Sequence, residues 1–505
     1  MTQPYLHIGN FRNLTGRDRL LYRLFEIIPA FLSWGTLAGV VFLSEVWPAG
    51  IAVFIILFDL YWLIKTMYLS LHLRANWRRL ENFQAMDWEA RLKNVRWDHV
   101  RQLVILPLSR EGWEVVDATL HSLANSKWPQ ERLMVVLACE ERARDTAEAV
   151  AKKAEEKYGA LFRHFLVTWH PAGLTGEVAG KGSNITWAAK EAQKLIDAEK
   201  IPYEDILVSA FDVDTQAGPQ YFLCLAYHFL TAEKPHRSSY QPVPLYNNNI
   251  WRAPAASRVV ATSGTFWQMM QQERPERLST FSSHSMSFKM LADVGFWQTN
   301  VVSEDSRIFW NALLHYDGDY RVVPMAFPVS MDANVGRNVW ETMKQVYKQQ
   351  RRWTWGVENV PYLFYGFWKN KKIPFRTKAF HVATQLEGFW GLATNPILIF
   401  LLGWLPLMMG GPEFNATLLS YNLPRITRLL MTVAMLGLFT SAVISTRLLP
   451  PRPAGYGKWR HISMIFQWLL IPVTIVVFGA IPGLDAQLRL ALGRPLGFWV
   501  TPKRR

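Results

Sequence analysis

The sequence predicts an α/β domain with a mostly parallel sheet, inserted between two groups of membrane-spanning helices. Three observations predict it. Five apolar stretches near span length sit at the two ends of the chain, short aliphatic runs alternate with helical segments through the polar middle, and polar residues follow each of those runs. Half of the 505 residues are apolar, 14% are aromatic, 23 are Trp and only 19% are charged. That is more apolar surface than a water-soluble body hides, and it excludes a disordered or collagen-like chain. The net charge of +15 is scattered, and much of it lies beside apolar runs. It reads as positive-inside topology, so the expected partner is a lipid bilayer and not nucleic acid. Two cysteines, Cys139 and Cys224, cannot build a disulfide scaffold or a four-cysteine zinc site, and both are expected to be reduced.

Residues 1–26 are expected to form a cytosolic segment, basic through Arg12, Arg17, Arg19 and Arg23. Two spans follow within 27–72, over 27–46 and 51–71, because about 20 apolar residues cross ~30 Å of hydrocarbon. Residues 47–50 make a tight outside turn between them. The first run lies too far from the N-terminus, and lacks the small-residue cleavage site, to be a signal peptide. Arg74, Arg78 and Arg79 follow the second span, so charge bias places both flanks, and the polar domain at 73–338, in the cytosol. Interfacial helices are expected over 339–380, and about three spans over 381–482, at 388–408, 429–448 and 462–481. Arg447, Arg452, Lys458 and Arg460 suit a cytosolic loop, whereas 410–424 is poor in Lys and Arg and suits the outside. Five crossings would leave the 483–505 tail outside, although it carries Arg489, Arg494, Lys503, Arg504 and Arg505. Pro472 and Pro482 suit a broken helix there, so a re-entrant element or a further span would reconcile the charges.

In the middle domain, strands are expected at 103–106, 133–137, 165–168 and 206–211, with helices over 114–124, 143–157 and 184–196. Such alternation makes a parallel sheet with right-handed crossovers, whose ligands collect at the carboxyl ends of the strands. Those ends carry Ser109, Arg110 and Glu111, then Cys139, Glu140 and Glu141, then a Gly-rich stretch over 170–181, then Asp212-Val213-Asp214. One crevice there can receive a nucleotide. No P-loop and no G-x-G-x-x-G after a strand is present, which argues against NTPase and dinucleotide functions.

Four motifs carry chemistry. Asp212 and Asp214 at i and i+2 can aim at one hard cation, Mg²⁺ or Mn²⁺, shared with substrate phosphates, or can serve a polar turn. Ser303-Glu304-Asp305 can cap a helix, or can place Asp305 as a general base toward a hydroxyl. Lys181, between Gly180 and Gly182, can meet a diphosphate at a helix start, or can be a solvated turn residue. Gln349, Arg352 and Trp353 fall on one side of an amphipathic helix over 340–355. Its apolar face (Trp340, Met343, Tyr347) would lie on the membrane and its basic flank (Lys344, Lys348, Arg351) at the headgroups, leaving Gln345, Gln349 and Arg352 to reach a site. His284 is either structural or an acceptor contact. Trp355, Trp390 and Trp404 suit sugar stacking in a membrane channel or an interfacial belt.

In order and spacing these motifs resemble the membrane-embedded processive family-2 glycosyltransferases, the cellulose, chitin and hyaluronan synthase group. The matching residues are Gly180-Lys181, Asp212-Val213-Asp214, Ser303-Glu304-Asp305 for the family's T/G/A-E-D, and Gln349-Gln350-Arg351-Arg352-Trp353 for Q-x-x-R-W. The resemblance implies a GT-A-type catalytic domain and inverting transfer. Donors would be nucleotide-diphosphate sugars, with UDP-sugar first, and the enzyme would be a multi-pass protein of the inner or plasma membrane that extends and translocates a β-linked polysaccharide. Asp214 and Asp212 would hold the cation and Asp305 would be the base. Lys181, Glu140, Ser109 and Glu111 would bind the donor, while Gln349, Arg352, Trp353, Glu304 and His284 would face diphosphate and acceptor. The glycan acceptor and accessory export subunits would be its partners, and regulation through an appended cyclic-di-GMP domain is not expected. The sequence departs from the family pattern at Cys139-Glu140-Glu141 and Ser109-Arg110-Glu111. Two other readings stand beside this one: single-sugar transfer to a polyprenyl-phosphate or other lipid acceptor, and a transporter or scaffold with a regulatory α/β domain, for which Asp59, Lys65 and Glu387 in or near spans would serve.

Overall fold

The computed structural model describes residues 4–457, 459–497 and 499. An eight-stranded sheet runs through the middle of the chain in the order β3-β2-β1-β4-β7-β6-β8-β5. Strands β1 (Arg101–Leu108), β2 (Leu133–Glu140), β3 (His164–His170) and β4 (Ile206–Ala210) are the four expected from the aliphatic runs, and all pair in parallel. They are buried on both faces, so they read as continuous apolar runs. Val104 and Leu106 join a core with Val116 and Leu120 of the Trp113–Ala124 helix. Leu103 and Ile105 point the opposite way, toward Ile185 and Ala189 of the Lys181–Ala198 helix.

The other half of the sheet adds short antiparallel pairs to a sheet that is mostly parallel, as expected. It consists of β5 (Gln216–Ala217), β6 (Ser238–Leu245), β7 (Ser285–Ser287) and β8 (Arg321–Ser330). The β4–β7, β6–β7 and β5–β8 pairs are antiparallel, while β6 and β8 are parallel with a register shift between Gln241 and Val243. Prolines Pro242, Pro244, Pro324 and Pro328 interrupt these strands. Proline cannot donate to a ladder and is tolerated at bulges. Beside the bulge Ala326 takes a φ of 49°, and its N–H leaves the ladder to donate to Gln272 Oε1 at 3.0 Å.

Three helices among the described residues, Gly16–Val46, Pro48–Ala85 and Ile462–Ala491, are long and apolar enough to cross a membrane. The turn between the first two of these helices is tighter than expected. Trp47 alone separates the first two, its N–H closing the first helix on the Leu43 carbonyl at 2.7 Å while Pro48 opens the second. The Trp47 indole lies on Gly50, where an added Cβ would stand 2.4 Å from the ring. The 388–408 stretch begins in the Phe375–Ile397 helix and continues through a π-helical turn at Leu398–Leu402, just after Pro396, as expected where proline breaks the i→i−4 ladder. The 429–448 stretch lies within the Leu418–Arg447 helix apart from its last residue.

The last apolar run changes hydrogen-bond pattern twice, to 3₁₀ at Gln467–Leu470 and to π at Val476–Ala480. Both ends face the sheet domain or the N-terminal flank. Gln467 Oε1 accepts from Arg258 Nε at 2.6 Å, and the Leu490 and Ala491 carbonyls accept from Arg23 at 3.2 and 2.6 Å. The described end of this run therefore lies beside the basic N-terminal segment, not at the far side as five simple crossings would require. Lys458, Lys503, Arg504, Arg505 and the side chain of Arg460 lie outside the described residues.

The amphipathic helix is Val339–Thr354. Trp340 is exposed, and Thr342, Gln345 and Val346 are buried against the domain. Arg351 corrects its expected place on a lipid-facing flank. Its Nη1 donates to Asp485 Oδ2 at 3.0 Å, and Arg489 donates to the other oxygen of that carboxylate at 2.8 Å.

Candidate active site

The site starts where β4 stops pairing. The Phe211 N–H still donates to the Ile105 carbonyl at 3.1 Å, and the backbone then turns with the Thr215 N–H on the Asp212 carbonyl at 2.9 Å. The turn closes through its backbone, which leaves both carboxylates for other work. Asp212 keeps part of its side chain open, while Asp214 is fully buried. Asp214 Oδ2 accepts the backbone N–H of Asp332 at 2.8 Å. Asn248 Nδ2 donates to the Asp214 carbonyl at 3.0 Å and to Asp332 Oδ1 at 2.9 Å.

Lys181 opens its helix directly after Gly180, three residues before the expected start. It is buried, and its ammonium lies 2.7 Å from Asp212 Oδ1 and 2.9 and 3.1 Å from the two Asp305 oxygens. Burial alone would depress this ammonium, but Asp212, Asp305 and Glu304 outweigh burial and hold it above its ordinary range. One cation thus ties two motifs 93 residues apart, from Asp212 to Asp305.

Ser303 precedes the Glu304–His315 helix, but its side chain does not cap it. Ser303 Oγ instead accepts from Asn359 Nδ2 at 3.1 Å. Glu304 turns inward against Gly182, where a Cβ would come within 2.9 Å of the Glu304 Cβ. Its Oε2 makes no hydrogen bond, and burial, then the neighbouring Asp305, push its carboxyl above the usual carboxylate range. Asp305 faces the open side, with its backbone carbonyl accepting from Thr280 Oγ1 at 2.5 Å.

His284 is fully buried, with Nδ1 2.6 Å from the Phe281 carbonyl and 3.7 Å from Asp305 Oδ1. Trp297 Nε1 donates to its Nε2 at 3.3 Å. Burial depresses this imidazole, against the pull of Asp305. Nδ1–H to the carbonyl and Nε2 as acceptor fix one neutral tautomer. His284 therefore reaches the site through Asp305.

From the amphipathic helix, Gln349 Oε1 accepts from Asn334 Nδ2 at 2.7 Å, and the Trp353 ring lies 5.7 Å from that of Tyr246. Tyr246 marks the convergence. Burial, then Asp212, Asp214 and Asp305, raise its phenol, while Arg352 opposes them. Trp353 is partly exposed beside a small cleft that Tyr246, Asp332, Asn334 and Gln349 also line.

Ser109, Glu111 and Glu140 stand at the ends of β1 and β2 on the same sheet edge. The Ser109 N–H donates to Glu111 Oε2 at 2.8 Å, and Glu140 is buried and paired with Arg142. Of the tryptophans set aside for sugar stacking, Trp355 is buried with its Nε1 on Glu358, and Trp390 donates to Thr36 and packs against Phe58.

Sequence reasoning missed the residues that hold the Asp305 turn. Glu358 accepts the N–H groups of Val302 and Ser303 at 3.0 and 2.9 Å as well as the Trp355 indole. Arg307, fully buried, donates to Asn359, to the Ile8 carbonyl, to Gln298 and to the Glu358 carbonyl, and lies over the Tyr362 ring. An arginine two residues after Asp305, just before the apolar run Ile308-Phe309-Trp310, and a glutamate five after Trp353 were the available signals.

Among the described residues no group of three or more His, Cys, Asp or Glu is placed to hold a metal. The protein offers two carboxylates, Asp212 and Asp214. Such a set fits a hard divalent cation that completes its shell with phosphate and water, and does not fit a closed structural metal site.

Residues 207–481, more than half of the chain, match the model of a family described as Glycosyl transferase family group 2. No curated protein sequence matches the chain. Among solved structures it is similar to the mannosyltransferase PcManGT from Pyrobaculum calidifontis in complex with GDP-Man and Mn²⁺, at 13% identity and a TM-score of 0.41, covering 78% of this chain and 99% of that one. It is also similar to residues 1–349 of S. aureus TarS in complex with UDP-GlcNAc, at 13% identity and a TM-score of 0.36, covering 69% and 91%. A third similar structure is GalNAc-T7 with UDP, GalNAc and Mn²⁺, at 9% identity and a TM-score of 0.34, covering 58% of each chain.

Proposed function

Because the chain belongs to glycosyl transferase family group 2, and its mixed sheet with crossover helices is a GT-A domain, we propose that it is an inverting polysaccharide synthase. It would take hexosyl units from a nucleotide-diphosphate sugar, with a UDP-sugar as first choice, and extend a β-linked glycan that leaves through the membrane helices. The observation that carries this reading is the Lys181 ammonium between Asp212 and Asp305. It supports the reading because one ammonium joins the carboxylate proposed to hold the donor's cation to the proposed base.

In this reading Asp305 accepts the proton of the acceptor hydroxyl, held in place by Lys181 and by the Glu358-clamped turn before it. Lys181 and Arg352 offset charge on the departing diphosphate, which is the larger contribution in a site shielded from water. Gln349, Trp353 and Tyr246 line the acceptor side, where an aromatic face and amide groups suit a sugar ring. Ser109, Glu111 and Glu140 stand toward the nucleobase. Asp214 and Asp212 would hold Mg²⁺ or Mn²⁺, which supplies electrophilic stabilisation of the diphosphate when bound. The domain at 73–338 would be cytosolic, with Arg12, Arg19, Arg23, Arg74 and Arg78 on the inner side of a multi-pass inner or plasma membrane protein.

The test is incubation of the purified full chain with a panel of nucleotide sugars, following nucleoside diphosphate release and product length. The reading expects one preferred donor, reversible loss of turnover in chelator and products of many units. No turnover with any donor would remove it. A single added sugar on a lipid phosphate would replace it with the lipid-acceptor reaction.

A further inference from the structure

A second cavity lies away from the Lys181 cluster, where both ends of the chain meet the catalytic domain. Its wall comes from the N-terminal segment, the first helix, the loop before the Ser303-Glu304-Asp305 motif and the C-terminal segment through Leu490 and Leu496. Most of the lining is apolar. Asn10, Arg12, Glu26, Asn300, Glu358 and Arg494 are its polar members, and Tyr22 stands in the wall fully buried and closed to solvent.

The charges at this cavity are unequal in availability. Glu26 is already paired with Arg23, and Glu358 is saturated by the Val302 and Ser303 N–H groups and the Trp355 indole. Arg12 and Arg494 are both exposed and face solvent at the cavity rim. Arg12, Arg19 and Arg23 also surround the Phe11 ring within 5.6 Å of its centroid. An apolar interior and two exposed rim guanidinium groups, of which Arg12 also donates to the Gly493 carbonyl at 3.4 Å, complement an amphiphilic anion.

We propose that this cavity binds an anionic phospholipid of the inner leaflet, with the phosphate at Arg12 and Arg494 and the glyceride and upper acyl portion against the apolar wall. This rests on the reading that the N-terminal flank faces the cytosolic leaflet, where basic residues beside a span attract anionic lipid. The site would act on catalysis, because its Val301–Val302 wall continues directly into the turn that carries Asp305 and is clamped by Glu358.

The experiment extracts the full chain from phosphatidylcholine vesicles with or without phosphatidylglycerol, and reads retained lipid by native mass spectrometry and donor turnover in the same vesicles. Wild type should retain one phosphatidylglycerol and turn over donor faster in its presence. Arg12→Gln with Arg494→Gln should weaken retention roughly thirtyfold, from about one kcal/mol per basic residue. Its melting temperature and turnover in phosphatidylcholine alone should stay unchanged. Equal retention by the double variant, displacement by inorganic phosphate, or no lipid-dependent rise in turnover would each overturn the proposal. Absence of turnover in wild type in every vesicle would count instead against the synthase reading, since lipid retention is measured independently.

Discussion

The two acid motifs solve the same local problem in opposite ways. Asp212-Val213-Asp214 leaves the end of a strand, while Glu304-Asp305 opens a helix, and each sends one carboxylate outward and one inward. The outward pair, Asp212 and Asp305, meet on the Lys181 ammonium. The inward pair differ. Asp214 is anchored by a backbone N–H from Asp332, whereas Glu304 Oε2 has no donor and its carboxyl is pushed up by burial and by Asp305. Environment, not residue type, separates the roles, as it does wherever neighbouring titratable groups are driven apart.

Replacing the outward residue of the helix motif should have the largest effect. Asp305→Asn should cut nucleoside diphosphate release by about 10²–10⁴-fold, the usual worth of a general base, with donor binding by calorimetry retained. Lys181→Met comes next, since it takes the shared ammonium from two partly exposed carboxylates. Denaturation should report a loss of ~1.5–3 kcal/mol, the usual worth of hydrogen bonds to charged groups, partly restored by Mn²⁺, and no restoration would mean that the cation does not bind Asp212. Glu358→Ala should leave two backbone N–H groups without an acceptor, at about 1–3 kcal/mol. It should lower kcat while donor KM holds, and a change in KM alone would contradict a role in holding the Asp305 turn.

The smallest effect is expected from Glu304→Gln, because a raised carboxyl is already protonated near neutrality. Its folded pKa lies above its unfolded one, so its contribution to stability is full below the ordinary carboxylate range and is lost as pH rises toward the raised value. The variant should melt with a flatter pH dependence over that window and keep turnover within a few-fold. A large loss at neutral pH would show that Glu304 works as an anion.

The parallel half of the sheet and its carboxyl edge were legible because buried parallel strands are continuous aliphatic runs, and the polar residues that end them stand out. The half with mixed pairing was not. Prolines in β6 and β8 read as breakers until the bulge that accommodates them is seen, and β7 spans only Ser285–Ser287. The motif residues were found, and Lys181 was placed next to a helix start, but its bond to Asp305 joins distant segments that no local pattern connects. Arg307, Glu358 and Asp332 escaped for the same reason. Arg351 was assigned by its position on a helical wheel, which takes no account of Asp485 in the last helix.

The central claim is that the strand-end and helix-start motifs serve one reaction site. A double-mutant cycle on nucleoside diphosphate release, with Asp212→Asn, Asp305→Asn and both together, tests it most directly. One shared site should give strong non-additivity, the double variant being little worse than the worse single variant. Losses that multiply in full, as for independent sites, would contradict it.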